Sequence, residues 1–399
     1  MPDRPTGQLV RMYRIEGKKS PVNVATLAGI TVRYLEMIEA GTSTPSLPTL
    51  RKIAQVLGVQ VSALVGGAPS ENHAGLASPR LAAVERALFT YPALARDRDV
   101  PPDLPGLTGR INAAWEAWTT SPNRYTDVLS VLPDLIIDVE RVVAASGRSG
   151  AACRLACEVY WLSRVLLKRS ERVDLGPLAG DRAMRYAEET GDPVLVGVAA
   201  WNIGQALLSD GWSEGALDVA MLGAEKLERL LPDGTPQLFS VYGSLVQVAA
   251  VASGRTGEPW RARELLRGPV WRAALRVGEG HDFHHTNFGP GNVGIYHVCV
   301  ELEAGEFAEA LRRADEVDTS NIPSIGRRTT HLYQIAECYQ RRKNDAAVFV
   351  HLTMAEAICP QDFRYRPDVR GMVATLVKRA KPSYAAEVRE LAARIGMLD

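Results

Sequence analysis

The chain has 399 residues, 46% hydrophobic and 23% charged, with 46 basic side chains balanced by 46 acidic ones. That composition excludes wholesale disorder, and no apolar run approaches the roughly 20 residues a membrane span needs. The length points to several domains or a repeat array, and MPDRPTGQLV at the N-terminus lacks a signal pattern, so a cytoplasmic location without membrane contact is expected.

The charge is unevenly spread. Residues 1–67 hold eight Lys/Arg against four Asp/Glu, a net of +4, which leaves −4 on the remainder. A basic head on a mildly acidic body suggests that the head meets a polyanion. Five short helices are predicted in that head: Gln8–Glu16, Pro21–Ala28, Val32–Ala40, Leu47–Leu57 and a last turn at Val61–Val65. Ser20 caps the second ahead of Pro21, Thr31 caps the third, Gly41 follows it, and Gly58 ends the fourth. The AGIT segment between the second and third helices gives a helix-turn-helix pattern, with glycine permitting the tight turn.

GGAPSENHAGLASP, Gly66–Pro79, has no periodicity and reads as a flexible linker. The expected division is 1–67 for the head, 68–80 for the linker and 81–399 for a sensor and dimerisation body. Beyond the linker strand-like alternation is almost absent and helical patterns come in pairs. SDGWSEGAL, RTGEPWRAREL and EAGEFAEAL each place an alanine (Ala216, Ala262, Ala310) five residues after a turn glycine, where a small residue lets two helices approach. KRSERVDLG and RRKNDAAV are degenerate copies. The alanines lie 46 and 48 residues apart, longer than the about 34 of a tetratricopeptide repeat. The expected fold class is therefore all-α: a five-helix head followed by a helical-hairpin solenoid of five or six repeats.

Chemistry-bearing motifs are sparse. The five cysteines form no C-x-x-C pair, and Cys153 and Cys157 read as buried small hydrophobes. GEGHDFHHTNFGPGN holds His281, His284 and His285 beside Asp282, but no second ligand cluster accompanies them, so no metal and no cofactor are expected. No Ser-His-Asp phrase, phosphate loop or paired-acid signature stands out, which argues against an enzyme.

VATLAGITVRYLEMIEAG and TPSLPTLRKIAQVLGV, with Leu47, Leu50, Ile53, Ala54 and Leu57 as a core face, resemble the Cro and phage-repressor-like (xenobiotic-response-element) helix-turn-helix family over most of residues 8–65. The resemblance implies a third helix in the DNA major groove. Val32, Arg33 and Met37 would face bases, with Tyr34 or Glu36 beside them, and Arg33 could grip a guanine through two hydrogen bonds. Lys18, Lys19, Ser20, Thr31, Thr42 and Ser43 would sit at phosphates. The resemblance also implies an Arg14–Glu39 ion pair bracing the first and third helices, and it is broken at Pro21, where the family usually has a DNA-anchoring glutamine.

The head joined to a tetratricopeptide-like array resembles actinobacterial regulators of this architecture and, more distantly, RRNPP peptide-sensing regulators; INAAWEAW through NFGPGNVGIYHVCVELEAGEFAEAL carries the likeness. In such arrays the first helix of each pair lines a concave surface. Counting back from the turns places Tyr160, Trp161, Arg164, Trp201, Asn202, Gln205, Ser244, Gln247, Asn292 and Tyr296 on it, with Tyr242 at its lip. Amides and aromatics there suit a peptide or small-molecule effector. The expected function is a dimeric, sequence-specific transcriptional regulator of double-stranded DNA under ligand control; the alternative is a DNA-localised protein-interaction scaffold without a small ligand.

Overall fold

The computed structural model describes residues 6–17, 19–43, 45, 47–57, 64, 79–91, 103–170 and 172–397. The chain divides into two compact units, Met1–His73 and Ala74–Asp399. All regular structure among the described residues is helical.

The head contains α1 (Thr6–Glu16), α2 (Pro21–Ala28), α3 (Val32–Glu39) and α4 (Leu47–Leu57). Ser20 and Thr31 open α2 and α3 by accepting the backbone N–H of Asn23 and of Tyr34, each at 3.2 Å. Gly29 turns the chain between them at φ 67°, ψ 35°, a left-handed conformation that a side chain would strain. Val24, Ala25 and Ala28 of α2 then meet Leu35 and Ile38 of α3 and Leu50, Ile53, Ala54 and Leu57 of α4 in one core. Of the fifth predicted helix only Leu64, also buried, lies among the described residues; the side chain of Leu47 and most of the 68–80 linker lie outside them. A helix, α5 (Pro79–Leu88), begins one residue before the expected linker end, since proline is well placed in a first turn.

The body is built of helical hairpins. They are α6 (Leu104–Thr120) with α7 (Arg124–Ala145), α8 (Gly150–Leu167) with α9 (Gly176–Thr190), α10 (Pro193–Ser209) with α11 (Ser213–Glu228), and α12 (Pro236–Arg255) with α13 (Pro259–Leu265). The last continues through a π turn, Leu266–Val270, into α14 (Trp271–Val277). Next come α15 (Pro290–Glu303) with α16 (Phe307–Ala314) and α17 (Ile325–Arg341) with α18 (Asp345–Ile358); the short α19 (Pro360–Tyr365) leads to α20 (Pro367–Arg379) and α21 (Ala385–Arg394). Seven hairpins are thus present among the described residues, against the five or six expected. The first and last carry no turn glycine to mark them in the sequence, being connected by Ser121–Asn123 and Ala380–Tyr384.

The alanine phrase works as its spacing suggests. Gly211, Gly257 and Gly305 all have φ between 78° and 94°, and Ala216, Ala262 and Ala310 are fully buried where paired helices touch. In the degenerate copy Lys343 takes the left-handed position itself, at φ 58°.

The array closes on itself. The backbone N–H groups of Tyr125 and Thr126, at the start of α7, donate to Gln361 Oε1 of α19 at 3.0 and 3.2 Å. The Tyr125 hydroxyl donates to Asp362 Oδ1 at 3.0 Å. Contacts between residues more than 230 apart in sequence thereby turn the body into a ring around a lumen, with the first helices of the hairpins facing inward.

Burial holds His297 and His331 neutral, each with its pKa lowered to about 4 from an ordinary 6.5. Arg313 and Arg327, respectively, add to the effect by repulsion. As pH falls below 6.5 the unfolded chain takes up these protons first, so stability is lost between pH 6.5 and about 4 and regained as pH rises through that window. Urea unfolding across this range should show a shallower decline in the doubly substituted His297→Gln/His331→Gln protein than in the wild type; equal slopes would refute the assignment.

Candidate nucleic-acid interface and ligand cavity

In the head, α3 buries Leu35 and Ile38 and turns the opposite face outward. Arg33 and Glu36 are exposed there, and Met37 is 40% exposed. The orientation of α3 is set by α1. Arg14 donates from Nε and a terminal nitrogen to the two carboxylate oxygens of Glu39 at 2.6 and 2.8 Å, and from its other terminal nitrogen to the Lys19 carbonyl at 3.1 Å. With 12% and 8% side-chain exposure, the pair is largely withdrawn from water, and Glu39 raises the arginine pKa. A bidentate guanidinium–carboxylate pair fixes direction as well as distance. The open N-termini of α2 and α3, where Ser20 and Thr31 are exposed, suit backbone phosphates.

In the body, a cavity of about 180 Å³ occupies the lumen and adjoins a second of about 520 Å³ that shares Lys168, Arg169, Gln205, Tyr296, Arg327 and Arg366 with it. The walls are aromatic and cationic. Gln205 Nε2 donates to the Tyr296 hydroxyl at 3.0 Å and Arg327 Nε to Asn292 Oδ1 at 2.8 Å, with the Arg327 guanidinium 5.1 Å from the Tyr296 ring centre. Arg164 Nε donates to Asn202 Oδ1 at 2.7 Å. Burial pulls the Arg164 pKa down to about 10, and burial followed by repulsion from Arg169 and Arg164 lowers that of Lys168. The loop after α14 closes one side: His285 stacks on Trp115 with ring centres 3.6 Å apart, and Thr286 shares a 2.7 Å hydrogen bond with Ser240.

Residues 10–64 match the helix-turn-helix family. Over 60 residues the chain is 43% identical to the immunity repressor protein of Bacillus phage phi105, a stretch that covers 15% of this chain and 42% of that repressor. The head is a helix-turn-helix domain. This chain also aligns with the crystal structure of ComR from Streptococcus suis over 63% of its own length and 96% of the ComR chain, at 13% identity and a TM-score of 0.23, too slight a likeness to bear on the body.

Within the helix-turn-helix domain the structure sorts the expected DNA contacts. Ser20, Thr31, Arg33, Met37 and Thr42 are exposed, and the Thr42 hydroxyl donates to the Met37 carbonyl at 3.0 Å. Ser43 is half-buried, and Val32 and Tyr34 are half-buried against the core, which leaves each only one edge for a base. Lys19 departs from the expected outward pose: its Nζ donates inward to the Val56 carbonyl, which uses one of the three ammonium donors. Lys18 lies outside the described residues.

In the body, Arg164, Trp201, Gln205, Asn292 and Tyr296 do line the lumen. Tyr160, Trp161, Asn202 and Gln247 are buried but not at its wall. Tyr160 lies in a separate polar cluster, bonded to Glu140 and receiving Arg182 at 2.9 Å. Ser244 is likewise buried, and Tyr242 is half-buried against the core rather than at a lip. Neighbouring residues on a helix point about 100° apart, so a stripe read too broadly takes in core positions. The residues missed were Trp115, Trp118, Arg124, Lys168, Arg169, Arg327 and Arg366. A signal for some of them existed: Arg164 and Lys168 are one turn apart with Arg169 following, a basic end to this helix.

Proposed function

We propose that the chain is a cytoplasmic, sequence-specific DNA-binding transcriptional regulator. Two copies act together, each placing α3 in the major groove of one half-site, and the tetratricopeptide-like body controls them through a small molecule or peptide held in its lumen. The observation that carries this reading is α3 itself: a helix-turn-helix recognition helix whose inner face is core and whose Arg33 and Met37 stand outward. A single head covers few base pairs, so half-sites about 34–36 Å apart give a dimer its selectivity. Arg33 reads a guanine edge, while Ser20, Thr31, Thr42 and Ser43 hold the register at phosphates.

Selection from random duplexes by the full-length protein is expected to enrich a two-fold-related motif, with affinity falling steeply as salt is raised. Failure to enrich any motif would overturn the reading. A DNA-localised scaffold is the second reading, favoured by Trp212, Trp260 and Trp271, exposed by 40% or more on the body. It predicts motif enrichment with no response to any occupant of the lumen.

A further inference from the structure

We propose that the lumen is an anion receptor, built for a compact, multiply charged oxyanion of the phosphate-ester or polycarboxylate kind. The proposal deepens the sensor reading and rests on it only for the consequence at DNA. The first observation is a charge imbalance in the lumen wall: Arg124, Arg164, Lys168, Arg169, Arg327 and Arg366 face one carboxylate, Asp362. The rest of the chain runs the other way, since residues 68–399 carry a net charge of −4. Cations are therefore gathered inside a body whose other charges are on balance acidic.

Pairing sharpens the imbalance. Arg366 is matched by Asp368 at 2.6 Å. Among the described residues no carboxylate forms an ion pair with Arg124, Arg164, Lys168, Arg169 or Arg327. Their protein contacts are neutral ones: Arg164 to the Asn202 amide, Arg327 to the Asn292 amide, and Arg124 stacked 3.9 Å over the Trp118 ring. Arg124 is only 4% exposed, and its buried Nε has no partner. Asp362, 3.9 Å from Arg366 and accepting from the hydroxyls of Tyr125 and Thr329 at 3.0 and 3.2 Å, supplies a single negative charge against the six cations.

A buried cation without a counter-charge is costly, and several in one lumen repel one another, so a fold that keeps them gains from an anion that neutralises them together. The lowered pKa values of Arg164 and Lys168 agree with that strain. Guanidinium forks match the geometry of phosphate and carboxylate oxygens. The cations gather around the space of about 180 Å³, which takes a compact anion or the anionic group of a larger molecule that extends into the adjoining cavity of about 520 Å³. Trp115, Trp118 and Trp201 in the wall supply an optical readout.

The test titrates the full-length protein, followed by tryptophan emission, with pyrophosphate, inorganic phosphate and citrate at an ionic strength held constant with sodium chloride. A saturable change with one site per chain is expected for at least one oxyanion, weakened tenfold or more in Lys168→Met and in Arg327→Met, each confirmed folded by circular dichroism. Tighter pyrophosphate than citrate assigns phosphate chemistry, and the reverse assigns carboxylate chemistry. No saturable change with any oxyanion, or identical titrations in wild type and both variants, would overturn the proposal. A second arm measures retardation of the selected duplex by the wild type with and without the tighter oxyanion. If the oxyanion binds but the duplex affinity is the same with and without it, the anion site stands and its control of DNA binding falls; if the oxyanion fails to bind while the duplex is still recognised, the anion site falls and the DNA-binding reading stands.

Discussion

Gly7→Ala is expected to cost the head most of its stability and the protein its DNA binding. On propensity alone the change should help, since alanine is better than glycine inside a helix by about 0.8–1.0 kcal/mol. Geometry decides against it: Gly7 is buried where α1 crosses α3, and a methyl group there would overlap the Ile38 carbonyl. A backbone oxygen within a helix cannot rotate aside, so α1 and α3 must separate, and the Arg14–Glu39 pair spanning the same two helices is pulled apart with them. Overpacking costs about 1–3 kcal/mol, occasionally more, and a buried pair that is broken adds to it. A domain of this size has roughly 3–9 kcal/mol in all. Hydrogen exchange on the full-length variant should show protection lost across 6–57 and kept across 104–397. Wild-type protection in the head with intact DNA binding would show that α1 does not brace α3 as described.

Gly243→Ala should have the corresponding effect on the body. A methyl group on Gly243 would overlap the ring of Phe288, which is 1% exposed and has nowhere to go. Phe288 ends the loop that sets His285, Thr286 and Asn287 into the lumen wall, so the ring cannot yield without moving that wall. A loss of about 1–3 kcal/mol is expected in urea unfolding, together with weaker oxyanion binding in the lumen. Adding Phe288→Leu to Gly243→Ala should restore part of the stability by making room. A neutral Gly243→Ala would mean that the loop is not wedged against α12.

Local features of the chain were legible in advance and long-range ones were not. The caps Ser20 and Thr31, the Gly29 turn and the hairpins marked by Gly211, Gly257 and Gly305 are each decided within a few residues, and all are found. The Arg14–Glu39 pair was reachable because a family resemblance supplied the distant contact. Ring closure had no such help: Tyr125 and Gln361 carry no local mark of each other. Without closure, Arg124, Lys168, Arg327 and Arg366 read as separate surface charges rather than one lumen. Lys19 shows the same limit at shorter range, since its inward turn depends on where α4 places the Val56 carbonyl.

The central claim, that the outer face of α3 reads bases, is tested most directly by Arg33→Ala. Retardation of the selected duplex and of a scrambled duplex should be compared for wild type and variant at one salt concentration. Loss of a bidentate base contact, worth about 1–3 kcal/mol, should shrink the preference for the selected duplex by roughly tenfold or more while leaving affinity for the scrambled duplex close to that of the wild type. An unchanged preference between the two duplexes would contradict it.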